Sequence, residues 1–588
     1  MNVIGISGLD QSIPFRQQQW PDLTERELRI SQGHDSAAAL IVDGRCVFAA
    51  AEERFSRKKH TGDFPVHAIR HCLAQGGLEL SDVDELVHGF DYSPYKTIFS
   101  LDTISARQYQ QVYSREALLQ SVRKHLPQFP PERVKHVDHH MAHAASAYFT
   151  SGWDECLVLV IDGMGEVDSV SVYVARDGKL ERIHRISALD SIGILYSLVT
   201  LHLGFDFNAD EYKIMGLAPY GDPARHRAFF QQQVTGSENG SLRIPILRLN
   251  KTRQEQENYA CTRAFLNRLL IPERHPDSAI DDSHRDIAAA LQEALENTLL
   301  HLCQYFGSRT GLRKLALAGG VALNCTANGR IMRSGHFDEI YIQPAAGDDG
   351  TALGAALYRS SVADRVINER QTVPFLGPEY SNQEVKCAIQ EFEQSIDVHS
   401  FESFDDTCEK AAQLIASGSV VAWYRGRMEF GPRALGHRSI LADPGLPDMR
   451  DRINAMVKMR EAFRPFAPAV TIEEAAKWFD VESGAELPYM ITVVDVRNEY
   501  RSALPAITHV NGTARLQTVS AKDNCEFHRL LRSVGQTTGR QMVLNTSFNV
   551  KGQPIVSTPR EAIETFLRTG IDWLFVGDHL ISRKSMLR

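Results

Sequence analysis

Two histidines spaced four residues apart, His139 and His143, are the residues of this chain best suited to hold a metal ion. In a helix, side chains at positions i and i+4 lie on one face, so both imidazoles can reach one ion. Two imidazoles, oxygen ligands and open coordination positions form the set that divalent iron favours. The alternative is a surface helix with an exposed histidine pair, and spacing alone does not separate the two.

Two acidic turns, far apart in sequence, offer the carboxylates that such a site needs. Asp162 follows the strand-like run 157–161 and precedes Gly163. Asp348 and Asp349 stand together between two glycines. A carboxylate that arrives from a strand end can complete the coordination of a metal held by two imidazoles. These turns favour a metal site over the exposed histidine pair.

Composition limits the classes to which the protein can belong. At 588 residues, with 43% hydrophobic and 23% charged residues, we expect a soluble protein of two or more domains. No run approaches the roughly eighteen apolar residues of a membrane span, and the N-terminus lacks a signal-peptide pattern. Nine cysteines without a C-x-x-C pair suit the cytoplasm, and a net charge of −9 argues against a nucleic-acid partner.

A weak internal repeat organises the first half of the chain. The strand-like runs are residues 3–6, 36–49, 157–162 and 169–174. Asp43-Gly44 and Asp177-Gly178 interrupt them as tight hairpin turns do, and helical patterns such as Ile280 to Tyr305 follow. Strand, hairpin and helices used twice predict the duplicated actin-like ATPase fold, with nucleotide between its halves. The alternative is two unrelated α/β hairpins.

A glycine turn is suited to the predicted nucleotide site between the two halves of this fold. Residues 315–318 are typical of a buried strand, and Gly319-Gly320 then lead into a helix start. Glycine lets backbone amides approach an anionic or purine ligand closely, at the positive end of the helix dipole. The stretch from Gly347 to Gly354 repeats this strand–glycine–helix pattern.

Four longer motifs carry a family resemblance, and the similarity runs nearly end to end. They are His34–Ala38, Glu52–His60, Asp138–Ala144 and Tyr212–Gly221. The chain resembles the O-carbamoyltransferases of the NodU/CmcH type, which modify nodulation factors and antibiotics. It departs from that family at residues 9–32, a polar insertion before His34 that we expect to shape acceptor binding.

The resemblance implies roles for residues of the first half, a TsaD-like actin-fold domain. The implied metal ligands are His139, His143, Asp162 and Asp348. Similarity to the enzymes that make threonylcarbamoyl-adenosine in tRNA favours Asp348 over its neighbour Asp349. The implied nucleotide-binding residues are Lys213, Gly319, Gly320 and Asn324. His34 is the candidate general base for an acceptor hydroxyl, because an imidazole titrates near working pH.

The second half resembles an α/β domain of the YrdC-like type, which forms carbamoyl-adenylate. The motifs are Tyr424–Ser439, Lys458–Pro468, Thr513–Gln517 and Leu544–Asn549. Guanidinium forks pair bidentately with phosphate oxygens, so arginines on glycine- and proline-rich loops predict a phosphate pocket rather than a solvated basic face. A polar, proline-punctuated stretch at 371–378 suggests domains at residues 1–365 and 366–588.

The implied chemistry has two steps. In the second domain, carbamoyl phosphate and ATP with Mg²⁺ would give carbamoyl-adenylate and pyrophosphate. The resemblance assigns phosphate neutralisation to Arg433, Lys458, Arg464 and Arg515, and hydrogen bonds to Asn545 and Ser547. In the first domain, a divalent metal, expected to be Fe²⁺, would assist carbamoyl transfer to a small-molecule hydroxyl.

Three other functions are open to these motifs. An enzyme that makes threonylcarbamoyl-adenosine in tRNA uses the same domain types, but the acidic net charge disfavours it. Hydrogenase-maturation carbamoyltransferases carry paired-cysteine zinc motifs that this chain lacks. A non-catalytic actin-like ATP-binding module would not need the arginine-rich half. We therefore expect a cytoplasmic carbamoyltransferase, a monomer or homodimer, without nucleic-acid or membrane partners.

Overall fold

A computed structural model describes residues 1–236, 239–363, 374–458, 461 and 463–584, apart from the side chain of Lys458. Contacts group these residues into two units. The first unit comprises residues 1–53 and 60–363, and the second comprises residues 54–59 and 374–584. The predicted boundary between residues 365 and 366 lies outside the described residues and stays a prediction.

The first unit contains two five-stranded sheets and a short hairpin. Its strands are β1 Asn2–Ile6, β2 Ala37–Val42, β3 Arg45–Ala51, β4 Glu85–His88, β5 Val134–His136, β6 Glu155–Ile161, β7 Asp168–Arg176, β8 Lys179–Ser187, β9 Thr235–Gly236, β10 Leu242–Arg243, β11 Lys314–Ala318 and β12 Glu339–Ile342. The sheet orders are β3-β2-β1-β4-β5 and β8-β7-β6-β11-β12. In both sheets the first three strands are antiparallel and the last two join in parallel.

The identical strand order of the two sheets confirms the internal repeat, so the interpretation as two unrelated α/β hairpins is wrong. The assignment of this repeat to the actin-like fold stays a prediction. The predicted hairpin turns also form. Asp43 and Gly44 have φ of 48° and 83°, and Asp177 and Gly178 have φ of 50° and 76°. Two successive residues with positive φ match the right-handed twist of the strands that they connect.

Helices cover these sheets. The longer helices of the first unit are Val66–Gly76, Arg115–His125, His139–Ser151, Ile192–His202, Ala260–Leu269, Asp282–Thr310, Cys325–Arg333 and Asp349–Val362. Its shorter α-helices are Ser12–Gln19, Glu25–Leu28, Lys96–Phe99, Thr103–Gln108, Glu211–Leu217, Arg227–Gln233 and Arg253–Asn258. The polar insertion at residues 9–32 thus contributes two helices, and Arg16 in the first of them forms a buried ion pair with Glu257.

Two glycines let the helix Asp349–Val362 approach its neighbours closely. A Cβ atom on Gly354 would lie 1.7 Å from the carbonyl oxygen of Ala142, in the helix His139–Ser151. A Cβ atom on Gly5, in β1, would lie 1.8 Å from the carbonyl oxygen of Ala352. This packing brings the start of the helix Asp349–Val362 close to the two predicted histidine ligands.

The second unit is built on one nine-stranded mixed sheet. Its strands are β13 Ile396–Ser400, β14 Val421–Tyr424, β15 Arg438–Ala442, β16 Ala467–Thr471, β17 Thr492–Asp495, β18 Thr513–Val519, β19 Met542–Ser547, β20 Trp573–Val576 and β21 His579–Arg583. The order is β13-β21-β20-β14-β15-β19-β16-β18-β17.

Helices of the second unit pack against this sheet around a core that includes Trp423, Phe527 and Phe575. The α-helices are Asn382–Glu391, Phe404–Ala416, Met449–Ile453, Ala475–Trp478, Cys525–Thr538 and Pro559–Leu567. In the part of the chain that the structure describes, none of the helices combines the length and the apolar character needed to cross a membrane.

Candidate functional site

Four predicted ligands converge in the first unit. The ligand atoms of His139, His143, Asp162 and Asp348 all lie within 4.8 Å of one another. His139 Nε2 is 3.5 Å from Asp162 Oδ2 and 3.5 Å from Asp348 Oδ1, and His143 Nε2 is 3.8 Å from Asp348 Oδ1. Both histidines are fully buried, so the interpretation as an exposed surface pair is wrong.

The helix His139–Ser151 places the two imidazoles. It begins after Asp138, whose side chain accepts a hydrogen bond from the amide of Met141 at 2.9 Å. His139 Nδ1 lies 3.0 Å from the carbonyl oxygen of Gly89. A carbonyl only accepts, so Nδ1 carries a hydrogen, and Nε2 is the ring nitrogen that would bind a metal after losing its own hydrogen. The ring also stacks on Phe90, with centroids 3.9 Å apart.

A strand end and a helix start place the two carboxylates. Asp162 directly follows β6, and its Oδ1 accepts a hydrogen bond of 3.0 Å from the amide of Gly320. Gly319 makes this possible, because it has φ of 91° and a Cβ atom there would lie 2.2 Å from the carbonyl oxygen of Ile161. Asp348 precedes the helix Asp349–Val362, and Asp348 rather than Asp349 belongs to the cluster.

The electrostatics of the cluster suit a cation. Although burial opposes it, Asp348 and Asp162 raise the pKa of His139 well above its ordinary value. Burial and the charge of His139 lower the pKa of His143. Burial raises the pKa of Asp348. One divalent ion coordinated by two imidazole nitrogens and two carboxylates would balance these groups, so the residues present fit the implied metal.

Glu166 is a residue of this site that the sequence analysis did not assign. Its Oε1 accepts hydrogen bonds from the amides of His139, at 3.0 Å, and Asp91, at 2.7 Å. Burial and the nearby charge of Asp138 raise its pKa to about 8. Glu166 thereby fixes the first turn of the histidine helix. The sequence feature that could have identified Glu166 is its position in the same glycine-containing turn as Asp162, four residues later.

His34, the predicted general base, is 7% exposed. Its Nε2 lies 3.2 Å from the carbonyl oxygen of Arg29 and 3.0 Å from Ser31 Oγ. The carbonyl can only accept, so Nε2 carries the hydrogen and Nδ1 is the basic nitrogen. Burial lowers the pKa of His34, which keeps the ring neutral near pH 7, the form that a general base needs.

A second group of donor atoms lies nearby in the first unit. Oxygens of Asp35 and Glu53 and a ring nitrogen of His60 lie within 4.8 Å of one another. His60 Nδ1 is 2.8 Å from Asp35 Oδ1, and the amide of His60 donates to Glu53 Oε2 at 2.9 Å. These three residues had no predicted role, although all of them lie in motifs that carry the family resemblance.

The residues predicted to bind nucleotide have different surroundings in the structure. Gly319 and Gly320 adjoin Asp162 as described. Lys213 Nζ pairs with Asp210 Oδ2 at 2.9 Å and lies over the ring of Phe205. Asn324 begins the helix Cys325–Arg333, accepting from the amide of Ala327 at 3.0 Å, and its amide group pairs with Gln292. Asn324 thus has a structural role, and nucleotide contact at these positions stays a prediction.

In the second unit, several arginines of the motif Tyr424–Ser439 brace the loop. Arg438 is fully buried, and its guanidinium donates to the carbonyl oxygens of Arg425 and Gly426 at 2.8 and 3.0 Å. Arg425 pairs with Glu526 and Asp578 at 2.8 Å each. The interleaved arginines are therefore partly structural, a role that the sequence analysis did not weigh.

A buried glutamate completes this bracing. Glu429 Oε1 accepts from the amides of Leu435, His437 and Arg438 at 2.8, 2.9 and 3.2 Å. Three amide donors on one carboxylate oxygen fix the loop that carries Arg433.

The predicted binding residues of the second unit gather around that loop. Asn545 Nδ2 donates to the carbonyl oxygen of Ala434 at 3.2 Å and to Gln517 Oε1 at 2.8 Å. Residues two apart on a strand share a face, so Ser547 lies on the face of Asn545, and Arg515 lies on the face of Gln517. This places Arg433, Arg515, Asn545 and Ser547 in one region.

Two further predicted residues follow the helix Met449–Ile453. Arg464 Nη1 lies 3.6 Å from Glu461 Oε2, beyond hydrogen-bond distance. The side chain of Lys458 lies outside the described residues, so its predicted contact with phosphate stays a prediction.

Comparison with known proteins gives matches in both halves. The family model described as "Carbamoyltransferase N-terminus" matches residues 26–357, and "Carbamoyltransferase C-terminus" matches residues 412–583. The nodulation protein NolNO of Sinorhizobium fredii is 39% identical over 94% of this chain and 79% of its own length.

Two further relatives show the same pattern. The nodulation protein NolO of Bradyrhizobium diazoefficiens is 41% identical over 76% of this chain and 79% of its own. The 3'-hydroxymethylcephem-O-carbamoyltransferase of Streptomyces clavuligerus is 27% identical over 93% of this chain and 97% of its own.

Proposed function

The chain belongs to the carbamoyltransferase family, and we propose that it uses carbamoyl phosphate and ATP to carbamoylate a hydroxyl group of a small molecule. The observation that carries this proposal is the convergence of His139, His143, Asp162 and Asp348 in a chain whose two halves match both family models. The family match supports a transferase, and the cluster supplies a place for the transfer step.

Activation is assigned to the second unit, with a YrdC-like function. Arg433, Arg464, Arg515 and Lys458 would neutralise phosphate oxygens there, and Asn545 and Ser547 would donate or accept hydrogen bonds. Water hydrolyses carbamoyl phosphate to carbamate and phosphate, and a carbamate oxygen then attacks the α-phosphorus of ATP and expels pyrophosphate. Such phosphoryl chemistry depends on positioning and charge stabilisation, so the loop braced by Glu429 and Arg438 suits it.

Transfer is assigned to the first unit. His139, His143, Asp162 and Asp348 would hold a divalent metal, for which iron is our proposal, and a bound ion of this kind supplies Lewis-acid polarisation of an oxygen. His34 Nδ1 would take the proton of the acceptor hydroxyl as its oxygen attacks the carbamoyl carbon. The bond from that carbon to the adenylate oxygen breaks, AMP leaves, and the proton passes from His34 to solvent.

Nucleotide recognition in the first unit is proposed for the glycine turn. Gly319 and Gly320 keep the backbone accessible beside Asp162, and the helix Cys325–Arg333 begins five residues later. Amides at such a turn can approach an adenylate phosphate closely. Lys213 would add a positive charge, whereas Asn324 would act through its cap of that helix.

The decisive experiment separates the two steps. Purified protein with ATP and carbamoyl phosphate should release pyrophosphate, and removal of carbamoyl phosphate should stop the release. Mass spectrometry of mixtures with hydroxyl acceptors, starting with 3'-hydroxymethylcephem, should then detect a carbamoyl adduct. Pyrophosphate release that does not depend on carbamoyl phosphate would contradict the proposed activation.

A further inference from the structure

The orientation of His34 depends on the main chain of the segment Arg29–Ser31, at the end of the polar insertion. Its Nε2 lies 3.2 Å from the carbonyl oxygen of Arg29. That carbonyl alone determines which ring nitrogen carries the hydrogen, because Ser31 Oγ, 3.0 Å away, can act as donor or acceptor. Whatever fixes the carbonyl of Arg29 therefore also fixes the tautomer of His34.

The residue that holds this segment comes from a distant part of the first unit. Asn208 Nδ2 donates to the carbonyl oxygen of Arg29 at 3.2 Å and to that of Ser31 at 3.1 Å. Both hydrogens of its side-chain amide are thus used on the turn that precedes His34. The carbonyl of Arg29 accepts from Asn208 and His34 together, one bond for each of its lone pairs.

Asn208 is itself held rigidly. The backbone N–H of Asn208 donates to Glu211 Oε1 at 2.8 Å, and the hydroxyl of Ser197 donates to the same oxygen at 2.6 Å. Asn208 has φ of 54°, a left-handed conformation that asparagine adopts more readily than most residues. Asparagine meets both requirements at this position, a left-handed backbone and a short side chain with two N–H donors.

We propose that Asn208 is a positioning residue that orients His34 through the carbonyl groups of Arg29 and Ser31. The inference rests on the proposed function only for the role of His34 as general base. It also assigns a role to the end of the insertion at residues 9–32, which provides the carbonyl that His34 needs. Partners that orient metal-bound histidines typically contribute roughly tenfold to hundredfold to activity, and we expect an effect of this size for the proposed base His34.

The sharpest test is Asn208→Asp in the full-length protein. Aspartate has the same shape and also tolerates a left-handed backbone, but its carboxylate has no hydrogen to donate and would face two carbonyl oxygens. Asn208→Gly removes the side chain without this repulsion and keeps the backbone conformation. Asn250→Asp is the matched control, because Asn250 Nδ2 also donates to a carbonyl, that of Leu247 at 3.2 Å.

The first measurement needs no acceptor. In protein labelled with ¹⁵N at histidine, a difference spectrum against His34→Gln assigns the ring nitrogens of His34. We expect hydrogen on Nε2 in the wild type and in Asn250→Asp, and a mixture of tautomers or exchange broadening in both Asn208 variants. An unchanged His34 spectrum in Asn208→Asp and Asn208→Gly, or the same change in Asn250→Asp, would overturn the proposal.

The second measurement links orientation to transfer. With preformed carbamoyl-adenylate and 3'-hydroxymethylcephem as the hydroxyl probe, kcat of Asn208→Asp should fall tenfold to hundredfold while KM for the probe stays unchanged. Pyrophosphate release should match the wild type. If the wild type transfers nothing to this probe, the choice of acceptor fails while the ¹⁵N spectra still decide the role of Asn208. A wild-type kcat in both Asn208 variants would contradict the proposed positioning role of Asn208.

Discussion

The two candidate sites of this protein are built in opposite ways. In the first unit, two histidines of one helix, an aspartate that follows a strand and an aspartate at the start of a second helix converge within 4.8 Å of one another, and small backbone features hold them there. In the second unit, charged side chains of one loop, such as Arg438 and Glu429, are used to shape the loop itself. Binding is left to other residues that this loop and the strands beside it present.

This difference shows when residue type predicts a role. A histidine pair buried with two carboxylates has few structural uses, because unpaired buried charges are costly. An arginine has several, since its five donors can satisfy backbone carbonyls as well as phosphates. Variants that remove one member of each arrangement should therefore have sharply different consequences.

The largest effect is expected from the metal cluster. His139→Ala or His143→Ala should leave the purified protein without its divalent ion and abolish carbamoyl transfer, because half of the imidazole ligands is lost. Elemental analysis measures the ion, and pyrophosphate release should persist. His140→Ala is the control within the same motif, since His140 Nδ1 lies 2.8 Å from Ser171 Oγ and the residue is not part of the cluster. Equal metal loss in His140→Ala would contradict the ligand assignment.

His34→Asn should have the next largest effect, and it tests the proposed general base of the first unit rather than its metal ligands. Single-turnover transfer from preformed carbamoyl-adenylate should slow by about 10²–10⁴-fold, because the proton of the acceptor loses its base. Metal content and pyrophosphate release should not change. Because burial lowers the pKa of His34, the wild-type transfer rate should fall only below the usual pH range of histidine titration. A rate that falls at a higher pH, or equal rates in both proteins, would exclude His34.

The second unit provides the contrasting pair of arginines. Arg433→Ala should reduce pyrophosphate release by about 10²–10³-fold, because a charge placed for the transition state is lost. Arg425→Ala should retain most of that release. Its partners Glu526 and Asp578 have side chains 45% and 43% exposed, so water can solvate them when the arginine is gone. Equal loss in both variants would show that loop shape, rather than direct charge, governs activation.

The sequence predicts the features of this protein that depend on local patterns better than those that depend on contacts between distant segments. Hairpins, the repeat and the helix His139–Ser151 follow from local patterns, since turn residues and periodicity act over a few positions. The contacts of Glu166 with His139 and of Asn208 with the turn at Arg29 join distant segments, and no local pattern encodes them. The bracing roles of Arg438 and Arg425 were missed for two reasons. The partners of Arg438 are backbone carbonyls, which carry no signature in the sequence, and the carboxylate partners of Arg425 lie in distant segments.

The smallest expected effect is on stability, and it tests the backbone features that hold the first cluster. Gly354→Ala would place a Cβ atom 1.7 Å from the carbonyl oxygen of Ala142, so the helix that follows Asp348 must move away from the helix of His139. Overpacking of this kind typically costs about 1–3 kcal/mol, more than the roughly 0.5–1 kcal/mol that alanine gains over glycine in a helix.

Thermal unfolding should therefore show a lower melting temperature for Gly354→Ala, together with weaker metal binding, because Asp348 shifts with its helix. Gly307→Ala is the matched control inside another helix, where the nearest contact of the new Cβ would be the ring of Phe337 at 3.1 Å. A ring edge can yield by a few tenths of an ångström, whereas a carbonyl inside a packed helix cannot, so this control should change stability little. A Gly354→Ala protein with wild-type melting temperature and metal affinity would mean that the cluster tolerates displacement of its helices.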